Sequence, residues 1–100
     1  MRLAHLTFAV QPELSQNALD ALLAEVPVVR QMKGCIMFVP FVDPTVPGGL
    51  GVVHEWETPE DFAAYLASPT FAAAGATLRP MMTGTPVSRR FDATPVPPAE

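Results

Sequence analysis

The residues best suited to chemistry on a small molecule are His54, Trp56 and Tyr65, which stand close together in a sequence of 100 residues. His54 has a side chain that ordinarily titrates near neutral pH, which makes it the preferred candidate general base. In an extended segment Val52, His54 and Trp56 share one face, so the indole stands beside the imidazole. An indole is a stacking wall for a flat aromatic ring, and its N–H can hold a carbonyl. The alternative is a core tryptophan that fixes a sheet. The Tyr65 phenol can donate to a substrate oxygen or accept from one. Three residues after Phe62, it can also simply cover the core rim, with Phe62 as an apolar wall beside it. Arg79 is a candidate partner for an acidic substrate or an oxyanion. Arg89 and Arg90 alternate on a late strand, with ion pairs to Glu55 or Glu57 as the plainer reading. Cys35, which follows a glycine and has only Lys33 as a basic neighbour, reads as buried and inert.

The elements that must position these side chains follow from pattern and punctuation. Leu3 to Val10 alternates, with Ala4, Leu6, Phe8 and Val10 on one face and His5 and Thr7 on the other. Pro12 and Glu13 open a helical pattern in which Leu14, Ala18, Leu22 and Val26 recur, with Ala21 and Glu25 filling the next rows. Pro27 is expected to kink or restart that helix, and Gly34 to stop it. Cys35 to Val42 predicts a second strand, in which Pro40 implies an edge or a bulge. Leu50 to Glu57 predicts a third. Thr58-Pro59-Glu60-Asp61 is a helix start with a cap, a first-turn proline and two acids. Ser68-Pro69-Thr70 repeats it for a second short helix to about Ala76, and Pro86 to Phe91 predicts a fourth strand.

The order β-α-β-β-α-β predicts an α+β, ferredoxin-like fold: a four-stranded antiparallel sheet with the helices on one face. His5, Thr7, Val39 and Phe41 are candidates for the other face, where self-association is the simplest cover. Strands one and three are expected as parallel neighbours, which brings His5 and His54 together if their faces coincide. Alternation alone leaves that open. The expected organisation is one domain over residues 1–91 and a proline-rich extended arm over 92–100.

Composition narrows the function classes. Hydrophobic residues make up 49% and charged residues 16%, which permits a packed core and excludes wholesale disorder. The 6 basic and 10 acidic side chains give a net charge of −4, and the basic ones form no stripe, so nucleic-acid binding is disfavoured. One cysteine and two histidines disfavour a disulfide framework and a dedicated metal site. No apolar run suits a membrane span, and the first ten residues make a poor signal peptide. The expectation is a reduced, soluble, cytoplasmic protein.

At the segment Gly51 to Gly75 the sequence resembles the antibiotic biosynthesis monooxygenase superfamily, the dimeric α+β barrel proteins, and the order of elements agrees over nearly the whole chain, to about Phe91. Gly34-Cys35, Glu55-x-Glu57 around Trp56, Phe62, Tyr65-Leu66, Ser68-Pro69 and Phe71 carry the resemblance. It implies a homodimer paired through the sheet face, and a cofactor-independent monooxygenase acting with molecular oxygen on a small, polycyclic phenol or quinol. His54 and Tyr65 would then be catalytic, with Trp56, His5, Phe62 and Arg79 binding the substrate. Deprotonation yields a phenolate that reacts with oxygen without metal or flavin. Many members carry a histidine where this chain has Tyr65, which motivates the alternative of a non-catalytic barrel that binds an apolar ligand or serves as an interaction module. The haem-degrading branch has a histidine near the position of Gly75. Glycine cannot ligate iron, so that activity is not implied.

Overall fold

The computed structural model describes residues 1–98. Four strands, β1 (Arg2–Ala9), β2 (Cys35–Val42), β3 (Gly49–Trp56) and β4 (Val87–Asp92), form one sheet in the order β2-β3-β1-β4. Three helices, α1 (Ser15–Val29), α2 (Pro59–Leu66) and α3 (Pro69–Leu78), complete a ferredoxin-like α+β fold. Among the described residues no helix is long and apolar enough to cross a membrane.

The predicted start signals act as capping chemistry requires. The Asp61 backbone N–H donates to Thr58 Oγ1 at 3.1 Å, and Phe71 N–H donates to Ser68 Oγ at 3.2 Å. Each cap satisfies a donor that the first helical turn would otherwise leave unpaired. Pro12 opens a short 3-10 turn (Pro12–Leu14) before α1 begins. Pro27 does not restart α1, which runs through it to Val29. The ring lies on the exposed side of the helix, where water can satisfy the carbonyl that loses its donor.

Gly34 sits in the turn between α1 and β2 with φ +80°, a conformation that favours glycine, and a Cβ there would collide with the Asp61 carboxylate. β2 is an edge strand, as Pro40 implied, and its ladder with β3 slips between Cys35 and Met37.

All three strand pairings are antiparallel. The expected parallel neighbourhood of β1 and β3 is therefore wrong: in a split βαβ unit β3 is inserted between β1 and β2 and runs against both. The pairing sets Ala4 opposite His54 and His5 opposite Val53. Paired residues share a face, so His54 faces the helices and His5 the open side.

The core lies between the sheet and helices. Ala4, Phe8, Phe38, Leu50, Val52 and Trp56 from the strands pack against Ala18, Leu22, Val29, Phe62, Tyr65 and Leu78. Among the described residues no helix or strand covers the opposite sheet face. β4 extends to Asp92, whose carboxylate accepts from Arg2 at 2.6 Å, and the Met1 ammonium donates to the Ala93 carbonyl at 2.8 Å. Asp92 is thus part of the sheet and not of the arm. Ala99 and Glu100, the end of the expected arm, lie outside the described residues.

Candidate functional site

A cavity of about 120 Å³ lies between the helix layer and the sheet. Leu6, Phe8 and Val52 line its sheet side, Leu22 and Leu66 its helix side. His54, Phe62, Tyr65 and Arg79 all line it, as do Glu25 and Arg90. Four of the six residues expected at a site therefore meet there.

Trp56 does not reach the cavity. It is fully buried behind it and donates from Nε1 to His54 Nδ1 at 2.9 Å. Its ring stacks on Tyr65, with centroids 5.2 Å apart and planes at 21°. It acts on the two polar groups of the site and offers no wall to a ligand. His5 is excluded altogether. On the open face of the sheet its ring lies 5.6 Å from Phe91, because one residue of register reverses the side a strand residue presents.

The Trp56 bond determines what His54 can do. An indole only donates, so Nδ1 must be the acceptor, and the neutral imidazole carries its proton on Nε2. Nε2 has no partner in the described chain, yet no buried side-chain nitrogen or oxygen is left unpaired. Nε2 is therefore open to the cavity. Burial, with the Arg90 guanidinium and then His5 adding to it, lowers the His54 pKa to about 4. At neutral pH the residue is a fixed N–H donor. A second proton could go only to Nδ1, which would cost the Trp56 bond and create a cation in a buried, aromatic setting, with Phe38, Phe62 and Tyr65 rings centred 5.5, 5.5 and 5.7 Å away.

The carboxylate that sequence reasoning passed over is Glu25. It is buried on α1, and the Tyr65 hydroxyl donates to its Oε1 at 3.1 Å. Burial raises the Glu25 pKa, against the opposing pull of the Tyr65 bond. Burial and the neighbouring Glu25 raise Tyr65 far beyond the ordinary phenol range, so it stays protonated. A signal for Glu25 was present: the buried positions of α1 are Ala18, Leu22, Glu25 and Val29, a 4-3-4 spacing that puts the acid on the apolar stripe.

Arg90 also went unassigned. On β4 it pairs with Ala4 and so shares the His54 side, with its guanidinium 5.0 Å from the centre of the Phe62 ring. Arg89 takes the other face, over Phe91 at 5.3 Å. The expected ion pairs to Glu55 or Glu57 are not formed. Among the described residues the salt bridge is Arg2 with Asp92. Cys35 is partly buried, and burial raises its thiol pKa, consistent with an inert side chain.

The sequence matches the family antibiotic biosynthesis monooxygenase over residues 1–77. The chain belongs to that family. Solved structures of the same fold include one from Deinococcus radiodurans whose name places it among the antibiotic biosynthesis monooxygenases. It is 20% identical, with a TM-score of 0.89 over 100% of this chain and 99% of that one. A similarly named protein from Caulobacter crescentus is 25% identical, with a TM-score of 0.80 over 94% and 90% of the two chains. A third, from Mycobacterium tuberculosis, is 16% identical with a TM-score of 0.82 over the full length of both. No curated protein matches the sequence. For this member of the family, the fold brings a neutral imidazole N–H, a protonated phenol and a buried carboxylate onto one apolar cavity.

Proposed function

We propose that this family member is a cofactor-independent monooxygenase of a single-ring phenol or quinol. The observation that carries the reading is the set Glu25, Tyr65 and His54 on one cavity, with Trp56 holding the imidazole. A cavity of roughly 150 Å³ accommodates benzene, so about 120 Å³ supports one ring with its substituents toward the mouth. That size speaks against the polycyclic ring system expected from sequence.

In this reading Glu25 accepts the phenol proton, because a carboxylate with a raised pKa is the stronger base of the available groups. Tyr65 orients Glu25, and His54 Nε2–H donates to the oxygen on which charge develops. The phenolate passes an electron to molecular oxygen, and the radical pair combines at a ring carbon as a peroxide anion, which takes the proton back from Glu25 to become the hydroperoxide. Glu25 then removes the hydrogen of that ring carbon as a proton, and the C–H electrons form the carbonyl as the O–O bond breaks. The departing hydroxide takes that proton from Glu25 and leaves as water. The ring loses four electrons and oxygen gains four, so the substrate is its own reductant.

The test is oxygen consumption by purified, chelator-treated protein across single-ring quinols and phenols, each against a protein-free blank. Uptake that saturates with substrate and falls in His54→Ala and Tyr65→Phe is expected. No uptake above blank would leave a non-catalytic barrel that binds an apolar ligand.

We also propose that the chain works as a homodimer through the uncovered sheet face. Val39, Val87 and Phe91 are 41%, 53% and 41% exposed, on the same side as Val53 and Phe41. These exposed apolar side chains on one sheet face favour a partner, and a second copy supplies one. Sedimentation at micromolar concentration should give a dimer, and a monomer alone would refute it.

A further inference from the structure

The cavity is apolar within and cationic at its opening. Its exposed lining residues are Arg79, Pro86, Ser88 and Arg90, which places the mouth between the end of α3 and β4. Two arginines at that mouth face one lining carboxylate, Glu25, which is buried and already bonded to Tyr65. This is a local excess of positive charge on a chain whose net charge is −4.

Both guanidiniums are held near the opening and neither is neutralised. Arg79 lies against the bare backbone of Gly75, where an added Cβ would sit 3.3 Å from its Nη2. Its side chain makes no hydrogen bond among the described residues. Arg90 is drawn over the Phe62 ring and uses one donor, Nε, on Ser88 Oγ at 3.2 Å. Its terminal nitrogens make no hydrogen bond among the described residues. Neither has a carboxylate within ion-pair distance among the described residues. A guanidinium presents a planar fork of donors that matches a carboxylate.

We propose that Arg79 and Arg90 clamp an anionic substituent, so that the ring accepted by the cavity carries a carboxylate projecting to the mouth. This rests on the reading of the cavity as a site for a single aromatic ring, and it is independent of whether oxygen is consumed. The clamp fixes which edge of the ring points inward, and therefore which hydroxyl meets Glu25 and His54.

The test is calorimetric titration under nitrogen with 2,5-dihydroxybenzoate and with 2,5-dihydroxybenzamide, which have nearly the same shape and differ in charge. The acid is expected to bind about tenfold more tightly or better. That preference should shrink in Arg79→Gln and in Arg90→Gln, and vanish in the double variant. Both side chains are exposed, so the variants should fold, and circular dichroism checks this. Equal affinity for the two compounds, or a preference that survives the double substitution, overturns the clamp and leaves the aromatic cavity standing. Absence of binding by both removes the cavity reading as well. Acid-selective binding without oxygen uptake supports the clamp while it sinks the oxygenase.

Discussion

Glu25→Gln is expected to lower the rate of oxygen uptake on the order of a hundredfold or more, the usual scale for loss of a positioned base. It should not lower the stability of the protein at neutral pH. Glutamine keeps an oxygen acceptor for the Tyr65 hydroxyl and the volume of the side chain, while it removes a charge that burial disfavours. The two readouts separate a catalytic base from a structural carboxylate, because a purely structural Glu25 would move stability and spare the rate.

The pH dependence follows from the same shift. With its folded pKa raised, Glu25 favours the folded state below its unfolded pKa, and that contribution is lost as pH rises through the raised value. Its catalytic form is the ionised one, so the acid limb of the wild-type rate profile should lie above the ordinary range for a glutamate. Oxygen-uptake kinetics and urea unfolding across pH measure both. Wild-type turnover in the Glu25→Gln variant would exclude Glu25 as the base.

The second large effect concerns acid stability. His54 has a pKa of about 4 in the fold, against an ordinary value of 6.5. Between those values the unfolded chain holds a proton at this site that the folded chain does not. Its contribution is complete above about pH 6.5, declines as pH falls, and is fully lost below the folded value. The interval corresponds to roughly 3 kcal/mol, a large part of the stability of a small domain. Urea midpoints at about pH 7.5 and about pH 4.5 should therefore separate widely for the wild type, and less for His54→Gln. Nuclear magnetic resonance of the His54 ring should show no titration near pH 6.5. A ring that titrates there would mean that the imidazole is solvated and that Trp56 does not hold it.

How much of the site could be read beforehand depended on how local its cause is. Thr58-Pro59 and Ser68-Pro69 were legible as helix starts because a cap involves residues three apart. The face shared by Val52, His54 and Trp56 followed from strand geometry in one segment. Pro40 announced an edge because a missing N–H is a property of the residue itself. Glu25 was half legible. Its place on the apolar stripe of α1 is a matter of periodicity, but the hydroxyl that makes its burial tolerable belongs to Tyr65, 40 residues away.

Positions that depend on contacts across elements were not legible in advance. Trp56 looked like a wall for a ligand, and the packing of α2 over β3 instead seals it behind Tyr65 and turns its N–H onto His54. His54 looked like a base until that bond occupied Nδ1 and burial depressed its pKa. His5 belonged to the site only if strand faces coincided, and the β1–β3 register places it opposite Val53, on the other face.

Element types, caps, the edge strand and the ferredoxin-like order were thus determined by the sequence alone, since each arises from interactions within a few residues or along one period. The register between strands, the burial of an acid beside a phenol and the meeting of Arg79 with Arg90 at one opening were decided by the tertiary structure. Those depend on which distant residues share a face and lose their water together. Local pattern carries no record of that.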